Sequence, residues 1–237
     1  MRPTIVLVHG AFAESASWDD VVDRLLDAGH PAIAAANPLR GLAADARSVS
    51  DLVRSVEGPV VLVGHSYGGA VISNVDPDAG EIAGLVYVAG FAPLPGESCF
   101  ELSGRFPGST LGDTLEGVLR DDGTTDLRIA QDRFHEQFAA DVPARRAARM
   151  AVTQRPITRE ALLEPSGERP LWRHVPSFFV FGEKDRNIPR ALHHFMAQRS
   201  RAHRTLEIPG ASHALSVAHG AATARVILEA AALRAMA

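Results

Sequence analysis

One cysteine, Cys99, stands in 237 residues. It has no partner for an internal disulfide, which fits a reducing compartment. Long hydrophobic runs are missing as well. No apolar stretch approaches the roughly 20 residues that a membrane-spanning helix needs. The first apolar run, Ile5 to Val8, is too short for a secretory h-region, and His9-Gly10 ends it. Positive charge is not in excess: the net charge is −4 and no basic stripe runs along the chain. Nothing therefore suggests a nucleic-acid or membrane partner. Internal repeats and low-complexity tracts are absent. The pairs His193-His194 and Asp121-Asp122 have no second cluster at metal-ligand spacing, so no metal or cofactor is expected. The expected location is the cytoplasm. The oligomeric state is not legible.

What is present is a chain long enough to bury a sizeable core, with 46% hydrophobic and 22% charged residues. Short apolar runs alternate with helical patterns. Thr4 to Val8, Pro31 to Ala35, Val60 to Val63, Leu85 to Ala89, Phe178 to Phe181 and Thr205 to Ile208 read as six strands. Helices are expected from Ser17-Trp18-Asp19-Asp20, a capping-box-like start, to Gly29, and over 43–56, 191–199 and 221–235. Strands that are apolar on both faces and alternate with helices imply a parallel sheet covered on each side. Residues 93–170 break the alternation with turn formers and helical pieces at 132–140 and 144–151.

Gly64-His65-Ser66-Tyr67-Gly68 lies between the run ending at Val63 and the helix former Gly69-Ala70-Val71-Ile72. A serine on such a strand-to-helix turn stands clear of the backbone, and the glycines remove Cβ atoms where strand and helix nearly touch. Ser66 is the candidate nucleophile. Asp185 follows the run ending at Phe181, and His213 follows the run ending at Ile208. Serine, aspartate and histidine thus come in that order, each after a strand end. His213 can take the serine proton as general base, and Asp185 can fix its tautomer. Glu183 is the competing carboxylate in the same loop. Two backbone N–H groups must meet a developing oxyanion. Tyr67 supplies one, and Ala11 in the loop after the first strand supplies the other, with Phe12 as the alternative. His9 is expected to buttress that loop.

The motifs His9-Gly10-Ala11-Phe12, Gly64 to Gly69, Gly182-Glu183-Lys184-Asp185 and Gly210-Ala211-Ser212-His213 resemble those of α/β-hydrolase-fold serine hydrolases. The short amino terminus and the His-Gly-Ala loop are similar to the group of plant methylesterases, hydroxynitrile lyases and small bacterial carboxylesterases. The resemblance implies a core of residues 1–92 and 171–237 and a helical cap over 93–170. It also implies hydrolysis of a small, largely apolar carboxylic ester through an acyl-enzyme on Ser66. Phe12, Phe106, Phe134, Phe138 and Met150 are the expected pocket residues. The alternatives are a hydroxynitrile lyase or another cofactor-free, non-hydrolytic enzyme, and a ligand receptor with a vestigial site. Resembling lyases carry lysine after the catalytic histidine, where this chain has Ala214.

Overall fold

The computed structural model describes residues 1–233. Six strands make the central sheet: β1 Thr4–Val8, β2 Ala32–Ala35, β3 Pro59–His65, β4 Glu81–Val88, β8 Ser177–Gly182 and β9 Arg204–Ile208. Their order is β2-β1-β3-β4-β8-β9, and every pairing is parallel. The registers set Val8 beside Gly64 and His65 beside Val88, so the carboxyl ends of β1, β3 and β4 finish level. Val60 to Val63, Leu85 to Val88 and Ile5 to Val8 are all fully buried. Parallel strands sandwiched between helices must be apolar on both faces, which explains their unbroken Val, Ile and Leu content.

The helices on the sheet are α1 Asp19–Asp27, α2 Leu42–Arg54, α3 Tyr67–Ser73, α8 Arg190–Arg199, α9 Leu215–Ala218 and α10 Gly220–Ala232. Ser17 does not cap α1 as a capping box would. Residues Ser15–Trp18 form a 3-10 turn, and Trp18, the N-cap of α1, makes no side-chain cap bond. Trp18 is drawn into the core instead. Gly29, at φ +74°, ends α1 as expected: its N–H reaches Leu26 O, and His30 N–H reaches Leu25 O. The helix expected over 221–235 is described as far as Ala232, and residues 234–237 lie outside the described part.

Between β4 and β8 the expected helical pieces are present, and a small sheet that the expected helical cap did not include is added. Helices α4 Cys99–Ser103, α5 Gln131–Phe138, α6 Ala144–Thr153 and α7 Arg159–Leu163 accompany a three-stranded antiparallel sheet. Its strands are β5 Leu115–Leu119, β6 Thr125–Ile129 and β7 Ile157–Thr158. The hairpin turns at Asp122-Gly123, where Gly123 has φ +83°. Alternation of Glu116, Val118 and Leu119 against Asp126, Leu127 and Arg128 is too short and too charged to read as a buried strand. The base of the segment is tied to the core. Trp172 Nε1–H donates to Pro93 O at 2.8 Å, and Arg199 donates to Ala92 O at 2.6 Å and to Glu97 at 2.7 Å.

Candidate active site

Ser66 sits on the tight turn between β3 and α3 with φ 55° and ψ −123°, a conformation that L-residues rarely adopt. Holding it costs about 1–3 kcal/mol. The surrounding hydrogen bonds pay this: Ser66 N–H donates to Val88 O at 3.2 Å, and Ser66 O accepts from Gly69 N at 2.9 Å and Phe91 N at 3.1 Å. A Cβ on Gly64 would strike the Gly68 backbone, and one on Gly68 would strike the backbone of β1. The turn can be this tight only with glycine at both positions.

The loop after β1 lies against the turn. A Cβ on Gly10 would come within 2.6 Å of both Ser66 Cβ and His65 O. His9 holds this loop from behind. Its Nδ1–H donates to Gly10 O at 2.9 Å, and its Nε2 accepts Asn37 N–H at 3.1 Å. Burial lowers its pKa, which suits this neutral, one-proton role. Phe12, at φ 60°, gives its N–H to Arg155 O at 3.0 Å and so has no free donor. Ala11 N–H enters no hydrogen bond in the loop, and Tyr67, first residue of α3, has no intrahelical partner for its N–H. The Tyr67 hydroxyl is turned away toward α2, where it donates to Asp45 Oδ2 at 2.9 Å.

Asp185 lies in the loop after β8 and is buried. Its Oδ1 accepts from the N–H groups of Asn187 at 2.8 Å and Ile188 at 3.0 Å. Its Oδ2 accepts from His213 Nδ1 at 2.7 Å and from His193 Nε2 at 3.1 Å. Burial pushes the carboxyl pKa up, but the two imidazoles together with these hydrogen bonds outweigh it. The group is held well below the usual carboxylate range. Glu183 turns outward and accepts Gly210 N–H at 2.9 Å. His213 Nε2 is buried and has no hydrogen-bond partner among the described residues. His65 Nε2–H donates to His213 O at 3.1 Å, and the two rings lie 4.7 Å apart, which brings the histidine loop against the serine turn.

A cavity of about 130 Å³ opens at Ser66. Phe12, Phe91, Phe100, Leu111, Leu162 and Ile188 give it apolar walls. Of the five expected pocket residues only Phe12 lines it. Phe134 and Phe138 are instead buried and stacked at 5.0 Å, and Phe138 meets the His213 ring edge-on at 4.9 Å. Phe106 packs on Phe195 at 5.6 Å, and Met150 borders a separate hollow that Phe12 shares. Phe106, Phe134 and Phe138 of this segment pack inward, while Phe100, Leu111, Leu115 and Leu162 of the same segment line the cavity. Cys99 also lines it, but burial pushes its thiol far above the usual range, so it offers no competing thiolate. No group of three or more potential metal ligands occurs among the described residues.

A doubly covered parallel sheet with a serine on a strained strand-to-helix turn defines a class of fold shared by many hydrolases. A model of the alpha/beta hydrolase family matches residues 5–226, and the chain belongs to that family. It is 27% identical over 199 residues to a probable hydrolase, R7, of Phoma sp., covering 78% of each chain. It is 34% identical over 158 residues to a pyrethroid hydrolase of Sphingobium wenxiniae, covering 59% of this chain and 55% of that one. A carbendazim hydrolyzing esterase of Nocardioides sp. is 36% identical over 110 residues, or 41% of this chain and 46% of its own. Among solved structures, polyneuridine aldehyde esterase superposes with a TM-score of 0.81 at 17% identity, covering 97% of this chain and 99% of that one. A pyrethroid hydrolase from Sphingobium faniae gives 0.76 at 22% identity, covering 99% of both chains.

Two neighbours of the site were not legible in the sequence. His193 belongs to α8 and reaches Asp185 only because that helix folds back over the loop after β8. Asn187 lies two residues beyond Asp185, where an Asp-x-Asn spacing marks a turn but not a cavity wall.

Proposed function

We propose that the protein is a serine hydrolase of small, largely apolar carboxylic esters. The observation that carries this reading is the hydrogen bond between His213 Nδ1 and Asp185 at 2.7 Å, which leaves Nε2 without a partner on a loop that lies against the serine turn through His65. The relatives named as esterases and hydrolases support it. In this reading Nε2 accepts the Ser66 proton as the serine oxygen attacks the ester carbonyl. The oxyanion of the tetrahedral intermediate is met by the N–H groups of Ala11 and Tyr67. The proton passes from His213 to the departing alcohol, leaving an acyl-enzyme on Ser66. Water then gives a proton to Nε2 and attacks the acyl carbon, which releases the acid and restores the serine.

The segment 93–170 acts as a cap in this account. It supplies Phe100, Leu111, Leu115 and Leu162 to the cavity and excludes water from the reacting bond. A cytoplasmic location belongs to the same proposal, and cell fractionation tests it. The test of the reaction is turnover of p-nitrophenyl butyrate. Ser66→Ala lowers kcat by about 10³-fold or more while circular dichroism stays that of the parent. Activity retained in that variant overturns the assignment. Cyanohydrins in the same panel report on lyase chemistry.

A further inference from the structure

The hydrogen bonds around Gln137 decide which way the Asn187 amide faces. Gln137 Oε1 accepts the hydroxyl proton of Thr110 at 2.8 Å. Gln137 Nε2 donates to Arg186 O at 3.0 Å and to Asn187 Oδ1 at 2.7 Å. A main-chain carbonyl only accepts, so the Gln137 atom facing Arg186 O is the nitrogen. That nitrogen needs an acceptor on Asn187, which turns Oδ1 toward α5 and Nδ2 the opposite way. Asn187 Nδ2 takes part in none of the hydrogen bonds, yet it is not among the fully enclosed unpaired side-chain atoms. Asn187 is 3% exposed, and the space it borders is the cavity of Ser66.

The other polar groups of that wall are already engaged. Ser109 Oγ–H donates to Asn187 O at 2.9 Å, Ser103 Oγ–H to Phe100 O at 2.7 Å, and Tyr67 Oη–H to Asp45. Apart from Ser66 and the weak thiol donor of Cys99, Asn187 Nδ2 is the one side-chain donor in the cavity lining left unspent among the described residues. Its main chain is also fixed, because Asn187 N–H is bound to Asp185 Oδ1. A donor held on a rigid loop, facing an apolar space shared with the nucleophile, is how a pocket selects for a polar atom at one place.

We propose that Asn187 is a specificity-determining residue whose Nδ2 donates a hydrogen bond to a second oxygen acceptor, an ether or carbonyl, on the ester substrate. The inference rests on the ester-hydrolase reading of the same site. Isosteric pairs that exchange one methylene for oxygen test it: p-nitrophenyl butyrate against methoxyacetate, p-nitrophenyl pentanoate against 3-methoxypropionate, and butyl acetate against 2-methoxyethyl acetate. The readout is the kcat/KM ratio, oxygenated over apolar, in parent and variant. Asn187→Leu removes the donor, together with the acceptor for Gln137 Nε2, at similar volume; Asn187→Ala removes both with a smaller side chain. The expected result is a ratio that falls about tenfold for at least one pair in both variants, since a buried donor discriminates by what it can bond. Should Asn187→Leu not fold, Asn187→Ala alone decides. An unchanged ratio in every pair overturns the inference, and so does an equal loss on both members, which marks a structural role. Either outcome leaves the hydrolase reading standing, because that reading is tested separately by Ser66→Ala.

Discussion

His65 lies within the serine turn and is buried against Trp18, Phe138 and His213. Burial lowers its pKa to about 3, with the nearby His213 adding to the effect. It therefore stays neutral in the folded protein, where it gives one proton to His213 O. An unfolded histidine binds a proton below about pH 6.5. Between those two values the unfolded state holds more protons, so stability is complete above 6.5 and falls as pH drops toward 3. His65 alone costs about 2–3 kcal/mol between pH 7 and 4.5 by this linkage. Burial lowers His9 and His193 as well, and they add to the same acid slope. In His65→Gln, urea denaturation at the two pH values should show a difference smaller by about that amount. An equal difference in parent and variant removes His65 from the account.

At the scale of elements, the site depends on how the inserted segment grips the loop after β9. Asp141, just beyond α5, accepts from Ser212 Oγ at 2.5 Å, from Ser212 N at 3.0 Å and from His219 Nε2 at 2.9 Å. These bonds hold the residue immediately before His213. Asp141→Ala should lower kcat on p-nitrophenyl butyrate by about tenfold with a small change in KM, because a misplaced base costs the chemical step more than binding. A loss confined to KM contradicts this. The same scale separates what the sequence reveals from what it hides. The serine turn, the loop after β1 and the two loops bearing Asp185 and His213 are local: each is a short run whose glycines and apolar neighbours dictate its shape. The placement of Ser66, Asp185 and His213 on loops after strand ends was legible for that reason, and so were the six strands. The β5-β6-β7 sheet was not, because its strands are short, half exposed and carry Glu116, Asp126 and Arg128. The cavity walls were not legible either. Phe134 and Phe138 look like pocket residues by type, but the large aromatics are needed where the segment meets the core.

For the whole molecule, the proposed function ties the size of the substrate to the space at Ser66. Ligand sites for drug-sized molecules run from about 300 Å³ upward. The cavity at Ser66 is about 130 Å³ and is walled on one side by the segment between β4 and β8. Short acyl groups fit beneath that segment without displacing it. In a series of p-nitrophenyl esters, kcat/KM for acetate and butyrate should exceed that for decanoate by about tenfold or more. A profile that rises with chain length means the segment opens more widely than its ties at Trp172, Arg199 and Asp141 allow. No helix among the described residues is long and apolar enough to cross a membrane.

The central claim is that Ser66 becomes the covalent nucleophile because His213, steadied by Asp185, takes its proton. Incubation with a fluorophosphonate followed by intact-mass and peptide mass spectrometry tests it most directly. The account predicts one adduct per chain, located on Ser66, with labelling lost in Ser66→Ala and slowed by orders of magnitude in His213→Ala. Labelling of another residue, or none while ester hydrolysis proceeds, contradicts it.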